Sequence, residues 1–342
     1  MKIPFRVLAT LIAMAAATAL AQEPAALRFA EFDRCELVSG EAIDGCRIGY
    51  RTIGTLNAER DNTIVIPTWY TGTSEELIYL ADPGILDPAR YFIVLVDALG
   101  NGVSSSPSNS SSQSNDHFPQ ITIADMVESQ HRLLTETLEI ERAHAVVGFS
   151  MGGMQAFEWA VRYPDFARKV VPVIGSPRLA SYDIVRWETL LRILAYARAC
   201  QCDEAFELRA GLSMLARLPE NLNSDIERND ARQALAKGAE REPREIGVLW
   251  NDERQAEAMI AHDITGGGEA TLADAARGVR SNMFIVVGAD DYVVTIAPAL
   301  EFARLAGARS LVLDAGCGHG DPWCDSKLFH AALKAFIESS DY

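Results

Sequence analysis

Nine consecutive residues constrain this chain more than any others: Val146-Val147-Gly148-Phe149-Ser150-Met151-Gly152-Gly153-Met154. The apolar run from Ala143 to Val147 reads as a short buried strand. A helical pattern follows at once in Gln155, Ala156, Phe157, Glu158, Trp159 and Ala160. Between them lies Gly148-x-Ser150-x-Gly152, the spacing of a sharp strand-to-helix turn that lifts a serine out of a sheet as a nucleophile. Such a turn brings the two backbones close, so a Cβ at 148 or 152 would collide. Ser150 would then stand at the positive end of the helix, where a developing oxyanion is favoured. The same pentapeptide occurs in ordinary Gly-rich loops; the strand before it and the helix after it carry the functional reading.

A nucleophilic serine needs a base, and the base needs an orienting acid. In α/β-hydrolases both follow the serine, acid first and histidine last. Three of the six histidines lie beyond Ser150: His262, His319 and His330. His319 sits in the turn-forming run Gly316-Cys317-Gly318-His319-Gly320, just past the apolar strand Leu311-Val312-Leu313. His330 follows Phe329 in a helical pattern, and His262 lies among polar helical residues and reads as a solvated surface group. For the acid, the strand Met283 to Val287 ends in Gly288-Ala289-Asp290-Asp291. Either carboxylate could serve. Asp291 is favoured, three residues past the glycine, with Asp290 capping the turn.

Met1 to Ala21 has Lys2 and Arg6, then an apolar run from Val7 to Leu20, then Ala19-Leu20-Ala21 before Gln22. This is the order of a secretory signal peptide with an A-x-A cleavage site, so a periplasmic or secreted product is expected. No later stretch is long and apolar enough to span a bilayer, and no membrane association is expected after cleavage. The net charge is −16, and two units more negative once Lys2 and Arg6 leave. Such a chain is repelled by nucleic acid and anionic membranes. An exported context permits disulfides among the six cysteines. Cys35 and Cys46 flank a turn-rich segment with Gly40 and Gly45, a hairpin that would bring them face to face. Cys317 and Cys324 bracket His319 and are expected to form a disulfide that pins its loop, two buried free thiols being the alternative; Cys200 and Cys202 either pair with each other or stay free. No Cys/His cluster has zinc spacing, so no metal is expected.

Strand and helix patterns alternate along the chain. Arg47–Ile53, Asn62–Pro67, Tyr91–Val96 and Lys169–Ile174 read as strands, and Ala124–Leu138 as a helix. After Pro177 the texture becomes helical, charged and rich in Ala, Arg and Glu, and strands resume at Asn282. The expected organisation is a signal peptide (1–21), an α/β-hydrolase core (22–177 and 276–342) of mostly parallel sheet with helices on both faces, and a helical lid insertion (178–275). Ser104 to Ser114 is rich in Ser, Pro and Asn and reads as a surface loop or a site rim.

Phe118-Pro119-Gln120-Ile121-Thr122-Ile123-Ala124-Asp125-Met126-Val127, followed by Gly148 to Trp159 and Tyr163-Pro164-Asp165, resembles the homoserine O-acetyltransferase family of α/β-hydrolases. The resemblance covers about residues 40–177 and resumes over 282–320. It implies Ser150 as nucleophile, Asp291 as orienting acid and His319 as base. Thr71-Gly72-Thr73 matches the family's oxyanion loop, which implies backbone N–H donors at Tyr70 and Met151. Thr71 and Arg186 are further candidates for substrate contact. The family's transferases dimerise through their helical insertions, so a homodimer is implied. The acceptor-binding pattern of those transferases is not found in Ser181 to Glu188, and an export signal conflicts with a cytoplasmic acyl-CoA donor. The expected function is therefore an exported serine hydrolase that cleaves a small carboxylic ester through an acyl-enzyme on Ser150, with no cofactor. An O-acyltransferase of the homoserine acetyltransferase type is the alternative, and a non-catalytic binding protein on the same fold is the second.

Overall fold

The computed structural model describes residues 25–340; the candidate signal segment, Met1 to Ala21, lies outside the described residues. Eight strands form one sheet: β1 (Arg28–Glu36), β2 (Ala42–Ile53), β3 (Thr63–Pro67), β4 (Phe92–Val96), β5 (Ala143–Phe149), β6 (Ala167–Val173), β7 (Asn282–Gly288) and β8 (Arg309–Leu313). Their spatial order is β1-β2-β4-β3-β5-β6-β7-β8. The first two strands form a hairpin, β2 runs antiparallel to β4, and β4 through β8 are mutually parallel. The hairpin register sets Cys35 opposite Ile43 and Cys46 opposite Phe32. The Cys35–Cys46 disulfide therefore joins the strands diagonally, not face to face.

Side-chain alternation sends each parallel strand's residues into two separate cores. Val65, Val94 and Val146 face one side, where α1 (Ile123–Arg132), α2 (Met151–Arg162), α8 (Leu272–Gly278) and α9 (Ala297–Ala306) pack. Ile64, Ile66, Ile93, Leu95 and Val147 face the other, against Leu77, Leu80 and the final helix α11 (Ser326–Glu338). The helix expected to run on to Leu138 loses regular winding after Arg132 and passes through one wider turn, Leu133–Thr137.

Between β6 and β7 the chain is helical: α3 (Ser181–Cys200), α4 (Asp203–Met214), α5 (Pro219–Asp225), α6 (Ala231–Ala239) and α7 (Ile246–Ile260) precede α8. Leu194, Ala197, Ala205, Phe206, Ala239 and Leu249 form a small core of their own there. Buried ion pairs reinforce it: Arg209 meets Glu242 at 2.5 Å and Asp252 at 2.7 Å. A disulfide joins Cys200 to Cys202 where α3 ends. The far half of α7 belongs elsewhere, because Ala256, Ala258 and Met259 enter the main core. That half carries His262 inward as well. The residue is 6% exposed rather than solvated, because the polar pattern of Asn251 to Gln255 is itself buried against the core.

Lys169 on β6 is buried under the sheet and donates to the carbonyls of Phe336 (3.0 Å), Ile337 (2.8 Å) and Ser339 (2.6 Å). A cation there satisfies the last carbonyls of α11 and complements its negative end. Replacing Lys169 with Met should remove the cation that these carbonyls share, leaving Phe336 O with the Ser339 N–H and Oγ and Ile337 O with His144 Nε2. A loss of about 2–3 kcal/mol is expected, seen as a lower midpoint in thermal or urea unfolding.

Candidate active site

Ser150 follows the last residue of β5 and precedes the first of α2. Its backbone has φ 56° and ψ −119°, a conformation that costs energy in any residue with a Cβ. Close packing holds it there. A Cβ at Gly148 would sit 1.9 Å from the Gly152 carbonyl oxygen, and one at Gly152 would sit 2.7 Å from that of Pro67. The Ser150 N–H donates to Val173 O at 2.9 Å, tying the turn to the next strand. Behind it, Gln155 Nε2 donates to Thr68 O at 3.1 Å and Met151 O at 3.2 Å. Gln130 Nε2 donates in turn to Gln155 Oε1 at 2.5 Å.

Three side chains distant in sequence converge on this turn. Ser150 Oγ lies 2.9 Å from His319 Nε2, and His319 Nδ1 lies 2.6 Å from Asp291 Oδ2. Asp291 Oδ1 accepts from the N–H groups of Val293 (2.8 Å) and Val294 (2.9 Å). Its side chain is fully buried, while that of His319 is 22% exposed. Asp290, the other candidate acid, is exposed. His319 comes from the loop after β8, between Cys317 and Cys324, which are joined by a disulfide. The loop continues into a single helical turn, α10 (Asp321–Cys324), and Cys317 N–H donates to Asp321 Oδ1 at 2.8 Å. His330 lies apart on α11, half-buried beside Phe329.

The segment after β3 forms the facing wall. Tyr70 and Thr71 are the central residues of a turn closed by a hydrogen bond from Gly72 N–H to Trp69 O, 3.0 Å. Among the described residues, neither the Tyr70 nor the Met151 backbone N–H donates to a protein acceptor. Met151 is the first residue of α2, so its amide belongs to the helix terminus. Burial, with the Asp252 carboxylate nearby, pushes the Tyr70 hydroxyl well above its ordinary range. It therefore remains a neutral O–H.

A cavity of about 330 Å³ opens over Ser150 and His319, lined by Trp69, Tyr70, Trp187, Val293 and Trp323. Trp69 and Trp323 meet edge to face at 6.0 Å, as do Tyr70 and Trp187 at 5.0 Å. Sequence reasoning did not assign the tryptophans to the site, although each adjoins or flanks a candidate: Trp69 beside Tyr70, Trp187 beside Arg186, Trp323 within the His319 loop. Trp187 comes from α3, whose start is anchored to the loop that carries Asp291. Asp183 accepts from Thr295 N–H at 3.0 Å and Thr295 Oγ1 at 2.9 Å, and Trp187 Nε1 donates to Val293 O at 3.3 Å. Arg186 is half-buried and donates to Leu212 O on α4 at 3.1 Å, and burial lowers the affinity of its guanidinium for a proton. Among the described residues no group of three or more His, Cys, Asp or Glu could hold a metal ion. No helix there is long and apolar enough to cross a membrane.

Comparison with known proteins agrees with the fold. A profile of the alpha/beta hydrolase fold matches residues 64–325. An ethyl acetate hydrolase of Pseudomonas veronii is 39% identical over 188 residues, 53% of this chain and 54% of its own length, so the match spans about half of that relative. A homoserine O-acetyltransferase of Chlorobaculum tepidum is 31% identical over 312 residues, 83% of this chain and 86% of its own. Among solved structures, an acetylester hydrolase from Corynebacterium glutamicum superposes with a TM-score of 0.81 at 27% identity, covering 92% of this chain and 96% of the other. The chain thus belongs to the alpha/beta hydrolase fold family, in a branch whose named members include both ester hydrolases and homoserine O-acetyltransferases.

Proposed function

We propose that this protein is an exported serine esterase that hydrolyses a small carboxylic ester. The observation that carries the reading is the hydrogen-bonded chain from Ser150 Oγ through His319 to Asp291 at the floor of an aromatic cavity. Ser150 Oγ attacks the acyl carbonyl while His319 Nε2 takes its proton. Asp291 accepts from Nδ1 and stabilises the imidazolium that forms. The Tyr70 and Met151 amides receive the tetrahedral oxyanion, a contribution of ~3 kcal/mol per donor in comparable sites. Collapse expels the alcohol, protonated by His319. Water, deprotonated by the same histidine, then releases the acid. A cavity of about 330 Å³ walled by indole and phenol rings suits a short acyl chain. The relatives named for ethyl acetate and acetyl esters support the same substrate class. Export rests on the apolar N-terminal segment and is supported by the three disulfides.

The relatives named homoserine O-acetyltransferase favour one second reading, in which an alcohol replaces water in deacylation. Mass spectrometry of the products of a short ester, with and without homoserine, separates them. Free acid at an unchanged rate supports hydrolysis, and conversion of homoserine to its ester supports transfer.

Intact-mass analysis after a fluorophosphonate should show one adduct on the wild type and none on Ser150→Ala, with ester turnover lost in that variant. An adduct elsewhere would move the nucleophile.

Asp291→Asn should lower kcat/KM by on the order of 10³–10⁴-fold, because an amide favours the wrong histidine tautomer. Asp290→Asn, at an exposed position, should stay within about threefold of wild type. The reverse ranking in parallel kinetics would reassign the acid.

The Cys317–Cys324 bond closes a short loop, so a Cys317→Ser/Cys324→Ser protein should lose no more than ~3 kcal/mol of stability. Its kcat should fall by about tenfold, because a loosened loop misplaces His319. Unchanged kcat in a destabilised variant would make the bond structural only.

A further inference from the structure

We infer that Gln255, carried by α7 from the helical insertion, is a positioning residue that sets the oxyanion turn of the catalytic core; this rests on the esterase reading above. Gln255 is fully buried. Its Oε1 accepts from Thr71 N–H at 2.8 Å, and its Nε2 donates to Leu99 O at 3.0 Å. Both ends of the amide are thus used, one on each of two core loops that follow neighbouring strands. Gly100 packs against its stem, where a Cβ would lie 3.1 Å from Gln255 Cγ.

The turn that Gln255 grips needs a grip. Thr71 has φ 61°, while Tyr70 before it is not among the residues of positive φ. With the Gly72 N–H to Trp69 O bond, these signs define a type II turn with threonine at the third position. That position ordinarily takes Gly or Asn, because a β-branched side chain is strained there. The relaxed alternative is a type I turn, reached by flipping the Tyr70–Thr71 peptide. The flip would turn the Thr71 N–H away from Gln255 and break the bond. Gln255 therefore holds the strained form by giving its inward-turned amide a buried acceptor. The closing bond from Gly72 N–H to Trp69 O is common to both turn types and does not choose between them. The flip changes ψ of Tyr70, whose N–H is the proposed oxyanion donor, so a turn free to exchange between the two forms holds that donor less firmly.

Other contacts secure the flanks of this loop but not its central peptide. Asn101 Nδ2 donates to Gly72 O at 3.0 Å, and Asp97 Oδ1 accepts from Ser74 N–H at 2.8 Å. Both come from the core. One turn before Gln255, Asn251 is bonded to Ser108 through its Oδ1 (2.9 Å) and Nδ2 (2.8 Å), so α7 is registered against the core at two successive turns.

The test is a double-mutant cycle on ester hydrolysis. Gln255→Met keeps the volume and removes the acceptor. It should lower kcat by about tenfold with KM within about twofold, the pattern of an interaction made in the transition state. In a Thr71→Gly background, where glycine favours the type II turn unaided, the same replacement should cost less than about threefold. A trifluoromethyl ketone, whose hemiketal oxyanion needs the same donors, should lose affinity in parallel with kcat. Gln255→Glu, which retains an oxygen for Thr71, should lose less than Gln255→Met and serves if the methionine variant does not fold. An equal cost in both backgrounds, or wild-type kcat in Gln255→Met, overturns the positioning role. A wild-type protein that neither turns over esters nor takes a fluorophosphonate on Ser150 overturns the esterase reading instead.

Discussion

The rest of the molecule is arranged around the near-contact of β5 and α2 at the serine turn. With 1.9 Å between a notional Cβ at Gly148 and the Gly152 carbonyl, no other residue type fits without moving the helix. Within that contact Ser150 takes a positive φ, and the strained conformation is held by flanking elements that are fixed elsewhere. β5 is central in the sheet, between β3 and β6, and α2 is buried along most of its length. The strain is local, and the support for it extends across the sheet. It follows that Asp291 and His319, the proposed acid and base, can sit on loops, since each loop leaves the end of a parallel strand on the same edge.

Much of this was legible in the chain because short-range patterns encode it. The apolar runs that became β3 to β7 are buried on both faces and read as strands without periodicity arguments. The order serine, Asp291, His319 could be proposed because each follows a strand, and the side chains do meet at 2.6 and 2.9 Å. What could not be read depends on contacts far apart in sequence. Thr71 and Gln255 are separated by 184 positions, and nothing near either residue announces the other. The burial of His262 was missed for the same reason. A polar helix face looks solvated until the partner that satisfies it is known.

The Ser-rich stretch shows how composition can mislead. Ser104, Ser105 and Ser106 are buried, and Asn109 Nδ2 donates to Gly102 O and Ser104 O, both at 2.9 Å. Residues that usually mark a mobile loop here bond to their own backbone and to β2, where Ser104 and Ser105 accept from Gly49 and Arg47 N–H. The hydroxyls replace the apolar packing that a loop of this length lacks.

Helix α7 has its first half in the small core of the insertion and its second half in the main core. The insertion is therefore not a module that can be exchanged at its chain boundaries. A chimera that grafts a relative's insertion between β6 and β7 would replace Asn251 and Gln255 along with α3, which lines the cavity through Trp187. Recombination that preserves catalysis should cut inside α7, near Leu249, so that the graft supplies new walls for the cavity while the host keeps its own hold on the loops after β3 and β4.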